Sequence, residues 1–251
     1  MIALPACAPR ALVKPIPADT PPAKVLEMAR AKDAGIKGIR ASVKVSVQMD
    51  GKNAQGFDGV LYVQKPDKVR LTGLAFMGFT VFDILVNGDK FYFYQPDDGY
   101  LYTGPKSALG GFLEKRGVKA DPDVLYRSLF FDMTNAQGRY FFDSTAEGYN
   151  IFFVHEQDGV TVPLMRAEYD RGLGLKEKVF YDELARPYLY VRFEGTVEEG
   201  GYTLPAKLVA KDTKNGYTVT VTFEKYLVNP EGLDGDFAIE GGELKGIREI
   251  E

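Results

Sequence analysis

The sequence is poor in the residues that most often carry enzyme chemistry: its 251 positions include one cysteine, one histidine and no tryptophan. A single cysteine excludes an intramolecular disulfide and a cysteine-based zinc site. The sequence also has no pair of histidines at metal-binding spacing, no nucleophile elbow and no phosphate-binding loop. We therefore predict a protein that is not an enzyme and that uses neither a metal nor another cofactor.

Long apolar runs and concentrated charge are also missing. No apolar run approaches the roughly 20 residues that a membrane-spanning helix requires. The net charge is -4, and the lysines and arginines are scattered along the chain. Because phosphate binding needs a concentrated basic surface, we exclude nucleic acid as a partner. A hydrophobic content of 45% is nevertheless sufficient for one substantial core.

The ionisable residues do not converge on a recognisable site. The single histidine, His155, alternates with Ile151 and Phe153, a pattern typical of a hydrogen-bonded histidine within a strand. The segment 234–236, Asp-Gly-Asp, lacks the other ligands of a calcium loop and is interpreted as a turn. A hydrolase with an unrecognised pair of carboxylates stays open as the least favoured function, because the sequence singles out no such pair.

What the sequence does contain is a long series of segments in which apolar and polar residues alternate. Such alternation is typical of half-buried strands, and 15 tyrosines and 17 phenylalanines favour the same structure. Turn signals such as Asn87-Gly88 and Asn215-Gly216 separate consecutive segments. We predict about eleven strands, at residues 39–49, 60–63, 69–74, 79–86, 91–94, 149–154, 164–169, 178–181, 188–193, 202–210 and 217–223. Consecutive hairpins build an antiparallel sheet, so the predicted fold class is mainly β.

The chain before the first strand divides into a spacer and a helix. Residues 8–22 contain five prolines and few apolar residues, which is typical of an extended spacer. A helix of about three turns follows, with Asp19 or Thr20 as its N-cap and Gly35 at its end.

The break between the two groups of strands is helical. Residues 107–116 and 121–129 each predict a short helix, the second with a proline at its first position. Together with the strands they favour one strongly curved sheet with a few helices against one face. The predicted organisation is a segment at residues 1–22 that holds the end of a lipoprotein signal and the proline-rich spacer, followed by a single half-barrel domain at residues 23–251.

The connection between the third and fourth predicted strands is unusually apolar. Connections are normally polar, yet residues 73–79 read Gly-Leu-Ala-Phe-Met-Gly-Phe. One interpretation is that strand pairing continues through this segment and that its side chains belong to the core. The other is an exposed apolar tip that contacts a bilayer or a lipid-bearing partner through Leu74, Phe76, Met77 and Phe79. The sequence leaves both interpretations open.

The N-terminal segment suggests a lipid anchor. The tetrapeptide 4–7, Leu-Pro-Ala-Cys, resembles the end of a bacterial lipoprotein signal, in which a leucine and a small residue precede the cysteine that becomes lipidated. Acyl chains on Cys7 would tether the protein to a membrane, since each buried CH2 contributes roughly 0.8 kcal/mol. This hypothesis expects a charged segment and then an apolar run upstream of Met1. The alternative is a chance match around an unremarkable cysteine.

Taken together, Cys7, the spacer, the helix, the series of hairpins and the apolar loop resemble the LolA/LolB lipoprotein-carrier superfamily. The resemblance is greatest to its outer-membrane receptor LolB and related uncharacterised lipoproteins. The segment 227–237, Leu-Val-Asn-Pro-Glu-Gly-Leu-Asp-Gly-Asp-Phe, is similar to that family's closing segment. The resemblance implies an unclosed β-barrel with helices as a lid over an apolar cavity for acyl chains. It also aligns Met77, which precedes Gly78, with the loop leucine through which the receptor helps to deliver lipoproteins to the membrane.

The resemblance further implies a non-enzymatic lipoprotein, anchored in the outer membrane and facing the periplasm, that binds acyl chains or lipidated proteins. Its partners would be this cargo, a periplasmic carrier protein and the membrane surface. Aromatic side chains are expected to line the cavity, with Tyr92, Phe93, Phe152 and Phe153 as candidates. Loading would require the helical lid around residues 107–131 to move. The alternative function is an envelope structural or stress-sensing lipoprotein whose half-barrel binds a protein partner.

Overall fold

Alternating apolar and polar residues form the strands of one large sheet. In the computed structural model, the described residues are 15–17, 19–49, 54–116, 128, 139–239 and 244–251. Two α-helices lie within them, α1 (Pro22–Ala34) and α2 (Leu109–Lys115). Short 3-10 turns occur at Phe76–Gly78, Lys106–Ala108 and Leu233–Phe237. The strands are β1 (Gly38–Met49), β2 (Gln55–Gln64), β3 (Lys68–Leu74), β4 (Thr80–Asn87), β5 (Lys90–Gln95), β6 (Tyr100–Pro105), β7 (Arg139–Ser144), β8 (Gly148–Gln157), β9 (Val160–Asp170), β10 (Leu175–Tyr181), β11 (Pro187–Glu199), β12 (Tyr202–Asp212), β13 (Tyr217–Val228) and β14 (Gly246–Glu249).

These strands have the spatial order β14-β6-β5-β4-β3-β2-β1-β13-β12-β11-β10-β9-β8-β7. Neighbouring strands are antiparallel, apart from β14 and β6, which run parallel. Because β14 and β7 stand at opposite ends of this order, the curved sheet is an open barrel. The predicted fold class, mainly β with one curved and unclosed antiparallel sheet, is confirmed.

Each of the eleven predicted strands overlaps an observed strand, whereas β6, β7 and β14 are not predicted from the sequence. β6 ends in glycine and proline, β7 places three aromatic residues in succession, and β14 has four residues. None of these segments shows a long apolar-polar alternation. Pairing with a neighbouring strand decides their structure, which a local pattern does not reveal.

The two helices differ in how well the sequence predicts them. α1 begins after Pro21, and no side chain caps it, so the predicted N-cap at Asp19 or Thr20 is wrong. A proline at the first helical position has its φ already fixed near the helical value and needs no partner for a backbone N–H. The helix ends at Gly35, as predicted. α2 and the 3-10 turn before it confirm the predicted helix at 107–116, and the predicted helix at 121–129 lies outside the described residues apart from Ser128.

Both helices pack on the same face of the sheet, which we call the inner face. α1 contacts β8 and β9 through Val25, Leu26 and Ala29. α2 contacts β4, β5 and β6, where the ring of Phe112 lies 5.2–5.4 Å from three aromatic rings of these strands. The middle of the inner face contains many fully buried aliphatic side chains, among them Ala41, Val43, Leu61, Val63, Val191, Leu208, Ala210 and Val221.

The opposite, outer face is covered in part by the C-terminal segment. Leu233 and Phe237 of the last 3-10 turn pack against Tyr62 and Leu85. This is the segment that resembles the closing segment of the lipoprotein carriers. Among the described residues, no helix combines the length and apolar character needed to cross a bilayer.

Candidate functional site

The loop between β3 and β4 exposes large apolar side chains. Met77 is 79% exposed, more than any other large apolar residue of the described part, and Phe79 is 68% exposed. Ladder pairing between the two strands stops at Leu74 and Thr80. Strand pairing therefore does not continue through the loop, and Met77 and Phe79 are not core residues.

A short hydrogen-bonded turn holds this loop. The Ala75 N–H donates to the Phe79 carbonyl oxygen at 2.8 Å, and the Gly78 N–H donates to the Ala75 carbonyl oxygen at 3.0 Å. Between them, Met77 has φ 69° and ψ 12°, in the left-handed region. A side chain with a Cβ atom is disfavoured in this region by roughly 1–2 kcal/mol. The loop thus holds an apolar side chain in solvent at a conformational cost.

The base of the loop is fixed to the inner face through Gly73. A Cβ atom at this position would lie 2.3 Å from the Phe82 ring, so the ring of Phe82 occupies the space above the glycine. Phe82 in turn packs edge-on against Phe57, with centroids 5.0 Å apart. Because Gly73 and Phe82 are the last inner-face pair before the loop, this contact connects the loop to the apolar inner face.

The other two predicted loop residues differ from Met77 and Phe79. Leu74 is half-buried and stands opposite Asp58 on β2. Phe76 contributes its backbone to the turn, and its side chain lies outside the described part. The exposed apolar surface provided by the described residues of the loop therefore consists of Met77 and Phe79.

Two turns at the same end of the sheet also expose apolar residues. The strand register places the ends of β3, β8 and β10 together at this end, which we call the loop end. Val160 follows the β8–β9 turn and Leu184 lies in the β10–β11 turn, both with exposures close to that of Phe79. Sequence reasoning missed them because each is a single apolar residue beside polar turn residues. The available signal was their position within hairpin connections that are otherwise polar.

The four predicted cavity residues fall into two adjacent pairs, and neighbours along a strand face opposite sides of a sheet. Phe93 is buried under α2, and Phe153 is buried in the cluster that contains α1. Tyr92 packs with the outer-face cluster around Tyr62. The register places Phe152 opposite Phe141 and Arg166 on the outer side. Phe93 and Phe153 thus belong to the inner face, and Tyr92 and Phe152 do not.

The charged groups near the loop form a structural network on the outer face. The Arg70 guanidinium donates to both carboxylate oxygens of the buried Asp83, with contacts of 2.6–3.1 Å, and Thr72 donates to the same carboxylate at 3.2 Å. Arg70 also donates to the Asp236 carbonyl oxygen at 2.6 Å. Burial lowers the pKa of Arg70, but the hydrogen bonds and charge of Asp83 outweigh it and leave the pKa raised. The network secures the C-terminal segment through the hydrogen bond from Arg70 to Asp236.

The remaining candidate groups provide no catalytic or metal centre within the described residues. No cluster of three or more histidine, cysteine, aspartate or glutamate side chains in this part of the chain could hold a metal ion. Asp234 accepts hydrogen bonds from Gln64 and Lys68 within a 3-10 turn. His155 lies on β8 and is half-buried, and its Nδ1 atom has no hydrogen-bond partner among the described residues. Cys7 lies outside the described residues.

Comparison with solved structures defines the class of fold. A domain assigned to outer membrane lipoprotein sorting from Vibrio parahaemolyticus has a TM-score of 0.64 at 11% identity, covering 85% of this chain and 94% of that chain. A DUF1329 family protein from Desulfovibrio piger has a TM-score of 0.64 at 12% identity, and the match covers 88% of this chain and 98% of that chain. A LolA superfamily protein from Nitrosomonas europaea has a TM-score of 0.56 at 13% identity, covering 86% and 96%.

The protein therefore has the open-barrel fold of the LolA/LolB-like superfamily. This likeness lies in the backbone, since at most 13% of residues are identical in these three pairs. The sequence itself matches no protein-family model and no curated protein. The fold is the one that the resemblance of the sequence implied, and the loop described above stands in it at the end of the third strand.

Proposed function

We propose that this protein is a non-enzymatic lipoprotein of the cell envelope that binds acyl chains or lipidated proteins and helps to deliver them to the outer membrane. The observation that carries the proposal is the exposed pair Met77 and Phe79, held on a strained turn at one end of an apolar, curved sheet. A neutral structural loop gains nothing from such side chains, because exposed apolar surface of this kind favours association. The LolA-like fold supports a carrier.

Membrane contact by the loop is transient in this proposal. Fully burying a side chain the size of methionine or phenylalanine contributes roughly 1.5–3 kcal/mol. Two such side chains give an affinity sufficient for repeated contact and release. Permanent attachment is assigned instead to acyl chains on Cys7, which would place the protein on the outer membrane with the sheet facing the periplasm.

Cargo binding is assigned to the inner face. Its fully buried aliphatic residues and the rings of Phe93 and Phe153 would contact acyl chains through area burial. α2 covers β4–β6 of this face through Leu109, Phe112 and Leu113. Loading would then require α2, within the proposed lid at residues 107–131, to separate from these strands.

A vesicle experiment tests the loop. We expect unlipidated protein (Cys7→Ser) to cosediment with phosphatidylethanolamine/phosphatidylglycerol vesicles, and Met77→Glu/Phe79→Glu to lose most of that association. Each glutamate removes an apolar contact and adds a charge that the bilayer interior excludes. Ile247→Glu is the matched control, because Ile247 is 64% exposed on β14 and not in the loop. Equal binding by the loop variant and the control would rule out the loop as the membrane contact.

A second experiment tests the cargo face with a fluorescent fatty acid. We expect saturable binding at micromolar concentration, weakened about fivefold by Phe93→Leu if roughly 1 kcal/mol of aromatic contact is lost. Tyr92→Leu changes the neighbouring residue on the outer face and should leave the affinity unchanged. Absence of saturable binding by the wild type would contradict the carrier function. The envelope structural or stress-sensing alternative predicts that result, and the exposed aromatic residues of β7 favour it as the second candidate.

A further inference from the structure

The two edges of the sheet differ in whether a further strand covers them. At one edge, β14 pairs in parallel with β6 and covers it. At the other, β7 pairs with β8 and is the last strand of the described sheet. An edge strand presents a row of backbone N–H and C=O groups that can pair with another strand. Edges that must stay unpaired are usually shortened, charged or interrupted by proline.

The sequence of β7, Arg-Tyr-Phe-Phe-Asp-Ser, contains no proline and has aromatic residues at its centre. Phe141 is 57% exposed, and the adjacent Tyr140 is also exposed. Arg139 and Asp143 stand near the two ends and share the outer face with Phe141, since residues two apart point to the same side. Arg139 donates to Glu156 of β8, on the side away from the edge. The strand thus carries opposite charges placed symmetrically about an aromatic residue.

From this pattern we infer that β7 pairs antiparallel with β7 of a second copy of the chain, about a two-fold axis beside Phe141. A two-fold axis perpendicular to the sheet keeps inner faces together and outer faces together. Two residues that stand directly opposite each other must therefore lie on the same face. Since residues on one face are two apart along the strand, the numbers of two opposite residues must add up to an even value. The register centred on Phe141 places Arg139 opposite Asp143 of the second copy, and Asp143 opposite its Arg139.

The same register matches the remaining positions. Phe141 stands opposite Phe141 on the outer face, and Tyr140 stands opposite Phe142 on the inner face. Aromatic and opposite-charge pairs are the cross-strand pairs that stabilise antiparallel sheets. A register shifted by one position, centred on Phe142, places Phe141 opposite Asp143 and leaves Arg139 without the opposing carboxylate. The charges therefore select one register.

The dimer has a consequence for the loop end. β7 begins at the loop end of its own sheet, and its partner strand runs antiparallel. The two β3–β4 loops consequently lie at opposite ends of the joined sheet. One dimer then presents a single loop to a given membrane. Pairing through β7 requires neither lipid cargo nor membrane binding.

Sedimentation of the purified chain tests the association. We expect a species of twice the 27.8 kDa chain mass to appear as concentration rises. Asp143→Arg and Arg139→Asp each replace both attractive pairs with like charges and should weaken dimerisation about tenfold. The double variant Arg139→Asp/Asp143→Arg exchanges the two charges and should restore it. Circular dichroism and thermal unfolding of each variant confirm that the monomer is folded.

Cysteine cross-linking in the Cys7→Ser background tests the register. Directly opposite residues have Cα atoms about 4.5–5.5 Å apart, within disulfide range. Phe141→Cys should therefore form a covalent dimer under mild oxidation. Tyr140→Cys places its two Cα atoms about 8 Å apart, beyond that range, and is the matched control. Cross-linking of the Tyr140→Cys variant in preference to the Phe141→Cys variant would overturn the register.

A monomer at every concentration, with no cross-link formed by the Phe141→Cys variant, would overturn the proposal altogether. Loss of dimer in both single charge variants without recovery in the double variant would also count against it. Binding of an extended peptide to β7 by a protein that stays monomeric would assign the edge to a different partner. Loss of vesicle binding leaves these outcomes unchanged, so failure of the proposed function and failure of the dimer are distinguishable.

Discussion

The β12–β13 turn and the β3–β4 loop both reverse the chain at the loop end, but different kinds of residue form them. The β12–β13 turn at residues 213–216 satisfies its own backbone: the buried Asp212 carboxylate accepts hydrogen bonds from the Lys214 N–H, the Asn215 N–H and the Asn215 side chain at 2.8–2.9 Å. The Gly216 N–H donates to the Asp212 carbonyl oxygen at 3.1 Å, and glycine supplies the positive φ. Polar side chains stabilise this turn, and glycine occupies the position that a Cβ atom would strain.

The β3–β4 connection has no such polar side chains. Met77 adopts a positive φ beside Gly78, which has one as well, no side chain caps the 3-10 turn, and the exposed side chains are apolar. The difference shows that reversing the chain at this end of the sheet does not itself require an apolar or strained loop. A non-glycine residue also adopts a positive φ in the β8–β9 and β10–β11 turns of this end, at Asp158 and Ala185. The exposed apolar side chains of Met77 and Phe79, and not the φ of Met77 alone, therefore distinguish the β3–β4 loop from the β12–β13 turn.

The largest effect that we expect is on the polar turn. Asp212→Ala removes the carboxylate that accepts three hydrogen bonds in this turn, so the free energy of unfolding should fall by about 3 kcal/mol. Urea denaturation measures this loss. Vesicle binding by the folded protein should stay unchanged, because the turn makes no proposed membrane contact. Asp212→Asn keeps an acceptor oxygen and should lose less. Equal losses for the two variants would mean that the hydrogen bonds do not stabilise the turn.

A smaller loss is expected at the base of the apolar loop. Gly73→Ala forces the Phe82 ring to move, since the new Cβ atom would lie 2.3 Å from it, and overpacking of this kind costs about 1–3 kcal/mol. Gly110→Ala in α2 is the control, because no atom lies within 4 Å of its Cβ position. Thermal unfolding of the two variants compares them. The loss should shrink when Phe82→Leu is added to Gly73→Ala, and a loss that persists would exclude the ring as its cause.

Alternation of apolar and polar residues identifies a strand best where its two faces differ in burial. The sequence of β1 alternates because most of its inner residues are buried and most of its outer residues are exposed. β7 has aromatic residues on both faces, so no alternation distinguishes it from a loop. The start of α1 was missed for a different reason: Pro21 and Pro22 set the backbone without a capping side chain. Local pattern thus identifies an element when burial is one-sided.

The candidate site is predictable in composition but not in orientation. The apolar residues between Gly73 and Phe79 mark the loop. Their exposure, however, depends on the turn hydrogen bonds and on the φ of Met77, which no residue pattern specifies. Similarly, the sequence proposes Tyr92 and Phe93 together. The strand register, with Phe93 opposite Ile84 and under α2 and Tyr92 against the outer-face cluster, decides that Phe93 is the one on the inner face.

The smallest stability changes that we expect are those of glycine substitutions at Met77 and Phe79. The free energy of unfolding should rise at one of these two positions of the β3–β4 loop and fall at the other. Met77→Gly removes the Cβ atom from a left-handed conformation and should raise the free energy of unfolding by up to about 1 kcal/mol. Phe79→Gly removes a side chain at φ -70°, where glycine relieves no strain and increases the entropy of the unfolded chain, so stability should fall slightly. Both variants lose an exposed apolar side chain, and both should bind vesicles more weakly. If the loop serves only to stabilise the fold, Met77→Gly should raise the stability and leave vesicle binding unchanged. If Met77→Gly is stabilised and binds vesicles as the wild type does, the strain at Met77 has no role in membrane contact.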